Sequence, residues 1–153
     1  MRKMLFVAVL TLAAPAAPLA AQGEEQAVVQ VITRLFDGMR TRDTALMRSL
    51  FAPEARMVGI DARDGTPKVR VSEPDAWIGS VGRGTGPGPD EKIFDPVVHV
   101  DANIAQAWVY YELWIGPRLN HCGYDAFFLV KLADGWKISQ VADTRRMECT
   151  PRS

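Results

Sequence analysis

Four strand-like segments fill the last third of the chain, and only very short breaks separate them. The segments are rich in Val, Ile, Tyr, Trp and Phe, which favour extended backbone, and they span residues 93–100, 104–115, 120–132 and 136–145. The breaks have the sequences of tight turns: Asp101-Ala102-Asn103, Gly116-Pro117-Arg118 and Ala133-Asp134-Gly135. Because tight turns join neighbouring antiparallel strands, the sequence predicts an antiparallel meander.

The residues before this meander carry helical signals. In residues 24–40 the apolar side chains recur at the three- and four-residue spacing of an amphipathic helix. Asp43 can cap a second, shorter helix, which Pro53 ends. Ser72 can cap a third helix that runs through Val81.

A strand pair is predicted between the second and third helices. Residues 56–61 and 68–71 have strand patterns around a turn that contains Asp64-Gly65. Residues 82–90 hold four glycines and two prolines, which predicts a flexible connection or lid before the meander. Helices followed by a meander are typical of an α+β fold, in which the helices pack on one face of the sheet.

The first 21 residues have the pattern of a secretory signal peptide. Arg2 and Lys3 form a positive start, a short apolar run follows, and small residues end the segment. We expect cleavage after Ala21, with Ala20 as the alternative site. An uncleaved membrane anchor is the other interpretation, but the apolar run is shorter than the roughly 20 residues that span a bilayer.

Cleavage would leave residues 22–153 as a single domain, as the length of the chain favours. The sequence therefore predicts an exported protein, periplasmic or secreted, without a stable membrane anchor. The chain has 18 basic and 18 acidic residues, so loss of the two basic residues of the leader leaves a net charge of −2. Such a chain lacks the positive field on which nucleic-acid binding depends, so we expect no nucleic-acid partner.

The two cysteines, Cys122 and Cys149, are expected to form a disulfide, because an exported protein meets an oxidising environment. Two free thiols are the alternative. Two thiols alone cannot complete a four-ligand zinc site, and the only histidines are His99 and His121. The sequence therefore indicates no metal site, and no cofactor is expected either.

Several short segments resemble one protein family. The sequences HCGYDAF at 121–127, LVK at 129–131 and DGWKI at 134–138 resemble the final hairpin of exported SnoaL-like proteins, including the group labelled putative lumazine-binding, and LFD at 35–37 and LFAPEA at 50–55 also resemble this family. The family belongs to the nuclear transport factor 2-like superfamily. The resemblance implies a cone-shaped fold in which helices pack against a curved sheet around a pocket, with dimers often formed through the outer face of the sheet.

Some relatives are isomerases, cyclases or dehydratases that act on steroid-like or polyketide substrates, and these rely on a carboxylate base in the pocket. Many other relatives have no known activity. A shared fold does not choose among these functions.

Strand alternation groups the candidate site residues, provided that the last two turns have the three-residue sequences given above. One face of the sheet is then apolar, as a buried face should be. It carries Ile104, Trp108, Tyr110, Ala126, Phe128, Val130, Leu132, Trp136, Ile138, Gln140 and Ala142. The opposite face carries Tyr111, His121, Asp125, Phe127, Val141, Asp143 and Arg145.

In this register Asp125 lies directly across from Asp143. Two carboxylates so close repel each other, so one pKa should rise. Together with His121 and Tyr111 they are the candidate catalytic residues, since such a group suits acid–base chemistry. The alternative is a structural polar cluster that Arg145 and His121 neutralise.

Aromatic residues suggest a pocket for a small, flat molecule, aromatic or polycyclic. Trp108 and Tyr110 could stack on it, although ordinary core packing would explain them equally well. Phe36, Met39 and Trp77 would complete the wall, and Arg145 would be a polar contact, whereas Trp136 is assigned to the core.

Three functions remain open from the sequence: a small-molecule-binding domain without catalysis, an isomerase-, cyclase- or dehydratase-like enzyme, and a homodimerisation or protein-interaction module. Large apolar residues on both faces of the meander support the third, because a monomer needs only one buried face.

Overall fold

The computed structural model describes residues 19–61 and 66–152. Three helices precede and interrupt the strands: α1 (Leu19–Thr41), α2 (Thr44–Ser49) and α3 (Pro74–Arg83). The strands are β1 (Phe51–Asp61), β2 (Lys68–Ser72), β3 (Asp90–Asp101), β4 (Ile104–Ile115), β5 (Arg118–Leu132) and β6 (Gly135–Asp143). Most of the expected signal peptide, residues 1–21, lies outside the described residues. Within them, no helix has the length and apolar character needed to cross a membrane.

The helices follow the sequence pattern closely. One face of α1 is buried against the sheet, and its core residues are Val28, Val31, Ile32, Leu35, Phe36 and Met39. The Asp43 side chain caps α2 as expected, accepting a hydrogen bond from the Leu46 N–H at 2.9 Å. Together with α3 these helices cover one face of the sheet.

Most element boundaries move by a few residues, and two of the predicted helix signals are wrong. Pro53 does not end α2, because β1 already begins at Phe51. Pro53 lies where the pairing of β1 with β6 is interrupted, a place where a residue without an N–H does no harm to a sheet. Ser72 does not cap α3, because it is the last residue of β2, and Glu73 occupies the N-cap without a side-chain hydrogen bond.

All six strands form one curved sheet in the order β2-β1-β6-β5-β4-β3. The segments β3, β4, β5 and β6 make the predicted antiparallel meander. Strand β6 also pairs with β1, and this pairing is parallel. Helices on one face of a curved, mostly antiparallel sheet confirm the predicted α+β fold.

The last two turns are one residue shorter than predicted. In the β5–β6 hairpin Leu132 pairs with Gly135, and Gly135 has a positive φ of 110°, which favours glycine. Ser139 then has no partner in the register, so a bulge restores the expected pairing of Phe128 with Gln140.

The β4–β5 hairpin also combines a two-residue turn with a bulge. Ile115 pairs with Arg118 across a two-residue turn that begins with Gly116, whose φ is 57°. Asn120 is then left unpaired, and Leu113 pairs with His121 in the expected register. Beyond each bulge, therefore, the sequence prediction is right, whereas between the bulge and the turn it is off by one residue.

The bulge at Ser139 decides which side chains are buried. Strand alternation reverses there, so Trp136 and Ile138 lie on the same face as Val141. This inner face packs on the helices, and its core residues include Ala105, Ala107, Val109, Phe127, Leu129, Trp136, Ile138 and Val141.

The sequence prediction of the buried face was therefore wrong for the middle of the sheet. The face that carries Ile104, Trp108 and Phe128 is the outer face, and these side chains are 62%, 50% and 48% exposed. The prediction placed Trp136 and Ile138, which are apolar and must be buried, on that same face. If the bulge is left out, strand alternation assigns the inner and outer faces of these strands the wrong way round.

The C-terminal tail, residues 144–152, folds back over the outer face. The predicted disulfide between Cys122 and Cys149 is present, with a Cα–Cα distance of 6.0 Å. Arg146 forms a bridge with Cys122, and the Arg152 guanidinium lies 3.9 Å from the centre of the Tyr110 ring. The disulfide thus anchors the tail over the part of the outer face that carries Cys122 and Tyr110.

Residues 82–90, predicted to be a flexible connection, are fixed to the helices by one side chain. The Arg42 guanidinium donates hydrogen bonds to the backbone carbonyls of Val81, Thr85, Gly86 and Pro87. Gly88 packs so close to the Arg40 carbonyl that a Cβ atom would lie 2.1 Å from its oxygen. The segment is therefore an ordered connection that is held against the C-terminal end of α1.

Candidate functional site

A cavity of about 350 Å³ lies between α1, α3 and the inner face of the sheet. Its walls are mostly apolar and include Leu35, Phe36, Met39, Trp77, Val81 and Phe127. One end is polar and includes Glu91, Tyr111, His121, Asp125, Asp143 and Arg145. Apolar walls with a few convergent polar groups are the usual form of a small-molecule site.

The strands bring two carboxylates together as the sequence predicted. Asp125 on β5 and Asp143 on β6 are direct partners in the register. This part of the hairpin lies beyond the bulge at Ser139, which is why the prediction is right here. Asp125 is 3% exposed, and its Oδ2 atom receives no hydrogen bond from any N–H or O–H donor of the described residues.

A third acid, Glu91, was not predicted. It lies on β3 opposite Leu113, and its side chain forms a hydrogen bond with that of Asp125. We call Glu91 and Asp125 the acid pair. Counting back from the Asp101–Asn103 turn places Glu91 opposite Trp114, but a register shift between Phe94 and Val97 moves it by one residue.

One sequence signal pointed to this shift. Pro96 cannot donate a hydrogen bond within a sheet, so its presence in a strand indicates an edge or a bulge. The neighbouring Asp95 has a positive φ of 49°, which fits a bulge at this point. Reading Pro96 in this way would have placed Glu91 on the inner face.

The carboxyl groups of Glu91 and Asp125 keep their protons to higher pH than exposed acids do. Burial raises the pKa of Asp125 to about 7, the hydrogen bond from Glu91 opposes this rise, and the charge of Asp143 adds to it. The pKa of Glu91 is held well above its usual value by burial and by the charge of Asp125. Two carboxyl groups can hydrogen-bond to each other only when at least one is protonated, so near neutral pH the acid pair retains at least one proton.

Asp143 differs from the acid pair. Burial raises its pKa, while the positive charge of Arg145 lowers it. Arg145 is exposed, at the open side of the polar end. Asp143 and Arg145 therefore partly compensate each other.

His121 is a neutral ring near neutral pH. Burial lowers its pKa to about 4, and the charge of Arg145 contributes. Its Nδ1 atom lies 2.7 Å from the Asn120 Oδ1, and its ring meets Tyr111 edge-on at 5.6 Å between centroids. Near neutral pH His121 therefore carries no charge that would offset the acids.

Tyr111 has a structural hydrogen bond. Its hydroxyl donates to the Thr144 carbonyl at 2.8 Å, which fixes the backbone directly before Arg145. Burial, and then the nearby charges of Glu91 and Asp125, raise the pKa of Tyr111. The hydroxyl is thus a neutral donor and not a base.

The predicted binding residues divide into two groups. Phe36, Met39, Trp77 and Arg145 line the cavity, as expected. The sequence prediction that Trp108 and Tyr110 stack on a ligand in the pocket is wrong, because both lie on the outer face. Trp108 stacks on Tyr124 at 5.2 Å, and Tyr110 lies beneath Arg152.

Strand alternation explains why Trp108 and Tyr110 lie on the outer face. Tyr111 faces inward, and neighbours along a strand face opposite ways, so Tyr110 and Trp108 must face outward.

The described residues contain no group of three or more His, Cys, Asp or Glu side chains placed to hold a metal ion.

The sequence profile of the family described as "Putative lumazine-binding" matches residues 23–141, most of the chain. The chain belongs to this family. Its members are nuclear transport factor 2-like proteins, in agreement with the fold. The comparison with curated proteins found no significant match.

Solved structures support the same fold for this putative lumazine-binding family member. A nuclear transport factor 2-like protein of unknown function from Shewanella baltica matches with a TM-score of 0.65 and 18% identity, over 82% of this chain and 95% of that one. A protein of unknown function from Mycobacterium tuberculosis matches with a TM-score of 0.68 and 14% identity, over 85% and 76% of the two chains.

A third structure, described as a putative aromatic ring hydroxylase from Novosphingobium aromaticivorans, matches with a TM-score of 0.63 and 13% identity, over 83% and 92% of the two chains. At such low identity these likenesses establish the fold alone.

Proposed function

We propose that this family member binds a small, largely apolar molecule in the cavity between the helices and the inner face of the sheet. The observation that carries the proposal is the cavity itself, whose apolar wall ends in a single cluster of polar groups. A ligand would bury its apolar body against the wall and be oriented by the polar end.

The comparisons support a flat, aromatic ligand. The family description names lumazine, a flat heteroaromatic compound, and one structural neighbour is described as acting on an aromatic ring. In this chain the aromatic side chains of Phe36, Trp77 and Phe127 line the cavity. These residues, not Trp108 and Tyr110, would contact an aromatic ligand.

Tryptophan fluorescence and native mass spectrometry test the proposal. Lumazine and other flat heteroaromatic compounds should quench Trp77, and quenching should vanish when Trp77 is replaced by Phe. Val141→Phe places a larger side chain in the cavity and should weaken binding at least about tenfold. Val69→Phe, at an exposed position on β2, is the matched control. Equal binding by both variants would contradict the proposed site.

Acid–base catalysis on the bound molecule is a second candidate function. Asp125 supports it, because a carboxyl group with a pKa of about 7 can exchange a proton at neutral pH. Asp125 and Asp143 would be the reacting groups, whereas His121 and Tyr111 would bind or orient the substrate. A turnover rate that is bell-shaped with pH in the wild type, and altered in Asp125→Asn, would support catalysis.

Dimerisation through the outer face is compatible with either function. Ile104, Trp108 and Phe128 are large apolar residues exposed together on this face, with Val97 close by on β3. Apolar side chains grouped in this way are typical of protein interfaces. In analytical ultracentrifugation, Trp108→Glu should shift a dimer to monomer, and Lys68→Glu on β2 is a control outside the patch. A wild type that remains monomeric at all concentrations would contradict this interface.

Export is also proposed. The pattern of residues 1–21 supports a cleaved leader, and the Cys122–Cys149 disulfide suits an oxidising compartment. The mass of protein isolated from a periplasm tests both: a mature chain should begin at Gln22 and have no free thiol. A full-length mass would contradict cleavage.

A further inference from the structure

We propose that the polar end of the cavity binds the protonated amine of its ligand, with the carboxyl groups of Glu91 and Asp125 as the two partners. The inference rests on the proposed binding function and adds a chemical class to it. The ligand would have an apolar, partly aromatic body that carries one basic nitrogen.

The first support is a buried acid without a basic partner. Asp125 is almost completely buried, and its Oδ2 atom has no hydrogen-bond partner among the described residues. Its hydrogen-bond partner is another acid, Glu91. Within the described part of the chain, no ion pair within 4 Å joins a basic side chain to either acid. A buried charge without a basic partner is costly, and a ligand cation would remove that cost.

The second support is the position of the other charges. Asp143 and Arg145 partly compensate each other, and Arg145 acts on Glu91 without forming an ion pair with it. Tyr111 and His121 are neutral near neutral pH, as shown above. Arg70 lines the cavity from β2 and has interactions of its own. The acid pair is therefore the part of the site that most needs a positive partner.

The helices contribute the third support. The side chains that α1 and α3 present to the cavity are apolar: Leu35, Phe36, Met39, Trp77 and Val81. They provide no charge that could compete with a ligand amine for the acids. The aromatic rings of Phe36 and Trp77 provide apolar surface for the body of the ligand.

Binding should release a proton. Near neutral pH the acid pair is incompletely ionised, because burial raises the pKa of both groups. An ammonium group placed against both carboxyls favours the form in which each is ionised, so the retained proton passes to the solvent and the ligand keeps its own. Amine affinity should therefore rise with pH through the range in which the acid pair titrates.

Three probes with the same apolar body separate the possibilities: 2-phenylethylamine, 2-phenylethanol and phenylacetate. Isothermal titration calorimetry on the mature protein should give at least about tenfold tighter binding for the amine than for the alcohol, because hydrogen bonds to charged groups are the stronger ones. Phenylacetate should bind most weakly. Titrations in two buffers of different ionisation enthalpy should show release of about one proton with the amine and none with the alcohol.

The variants Glu91→Gln and Asp125→Asn should abolish the preference for the amine over the alcohol. Circular dichroism and urea denaturation show whether each variant is folded, and a folded variant that keeps the preference for the amine contradicts the inference. Asp101→Asn, an exposed acid at the end of β3, is the matched control and should behave as wild type.

Two further results overturn the inference in different ways. If the alcohol or phenylacetate binds as tightly as the amine, the acid pair does not recognise a cation, but the cavity remains a binding site. If none of the three probes binds or changes Trp77 fluorescence, the proposed binding function fails, and the inference fails with it.

Discussion

The backbone N–H of Arg152 donates a hydrogen bond to Oε1 of Glu112 at 2.6 Å, on the outer face of the sheet. Trp114 Nε1 donates to the other carboxylate oxygen at 3.1 Å. Glu112 has no exposed surface, although it lies on the face that the helices leave uncovered. The tail therefore covers Glu112 and is held there by the hydrogen bond from Arg152 to its carboxylate.

Glu112→Ala should destabilise the protein, because it leaves the N–H groups of Arg152 and Trp114 without their acceptor. An unsatisfied buried donor costs about 1–3 kcal/mol. Urea denaturation should report this loss in the free energy of unfolding. Gln106→Ala, at an exposed position on the same face of β4, is the matched control and should change stability little. Equal stability of the two variants would contradict an anchoring role for Glu112.

Loss of the disulfide should release the tail. Cys122 and Cys149 are 27 residues apart, so Cys149→Ser should lower the free energy of unfolding by about 3 kcal/mol in the chain-entropy model. Faster hydrogen exchange should follow in residues 146–152 and in Tyr110, which Arg152 covers. Reduced wild-type protein should behave like the variant. A variant as stable as oxidised wild type would show that the tail is held without the disulfide.

The acid pair should make stability fall as pH rises. The folded-state pKa of Asp125, about 7, is above the ordinary value of 3.8, so the folded protein retains a proton that the unfolded chain has lost. The stabilisation is complete below the unfolded pKa and is lost as pH rises through the folded pKa. Compared with Asp125→Asn, wild-type protein should lose roughly 2 kcal/mol between pH 5 and pH 8.

His121 acts in the opposite direction in part of this range. Its folded-state pKa is lowered to about 4, so its contribution is present above the unfolded value of 6.5 and is lost as pH falls. Both proteins contain His121, so the difference between wild type and Asp125→Asn cancels its effect. A difference that does not vary with pH would show that Asp125 is ionised normally.

Deletion of Ser139 should prevent native folding. The deletion removes the bulge, so Trp136 and Ile138 would move to the outer face and leave the core. Ser139→Ala retains the bulge and loses only the hydrogen bond from Oγ to the Phe128 carbonyl, at 3.0 Å, which should cost about 1 kcal/mol. Circular dichroism and urea denaturation distinguish the two. A folded, cooperative deletion variant would show that the strand can shift its register without the bulge.

The sequence predicted the elements well because their signals are local. Apolar spacing marked α1, and turn sequences marked the meander. The partnership of Asp125 with Asp143 was also within reach, because the two bulges compensate the two shortened turns and leave the register beyond them unchanged. That partnership placed Tyr111 and His121 correctly as well.

The rest depended on irregularities that strand alternation cannot show. The bulge at Ser139 reverses inside and outside, which is why Trp108 and Tyr110 were assigned to the wrong face. Glu91 was missed because the predicted strand began at residue 93, whereas β3 begins at Asp90, and the irregularity at Asp95–Pro96 also shifts its register. The predicted disulfide fixes Cys149, but the place of the tail over Glu112 was not predicted, because it also depends on an ion pair between the distant residues Arg152 and Asp95.

Strand β6 lies between β1 and β5 in the sheet but follows both in the chain. Until β6 forms, the β1–β2 pair and the β3–β5 meander have no strand to join them, and each presents an unpaired edge. Exposed edges can pair with other chains and start aggregation. During synthesis, the unpaired edges are therefore expected to favour aggregation until β6 is available, and variants that weaken β6 should aggregate more readily than wild type.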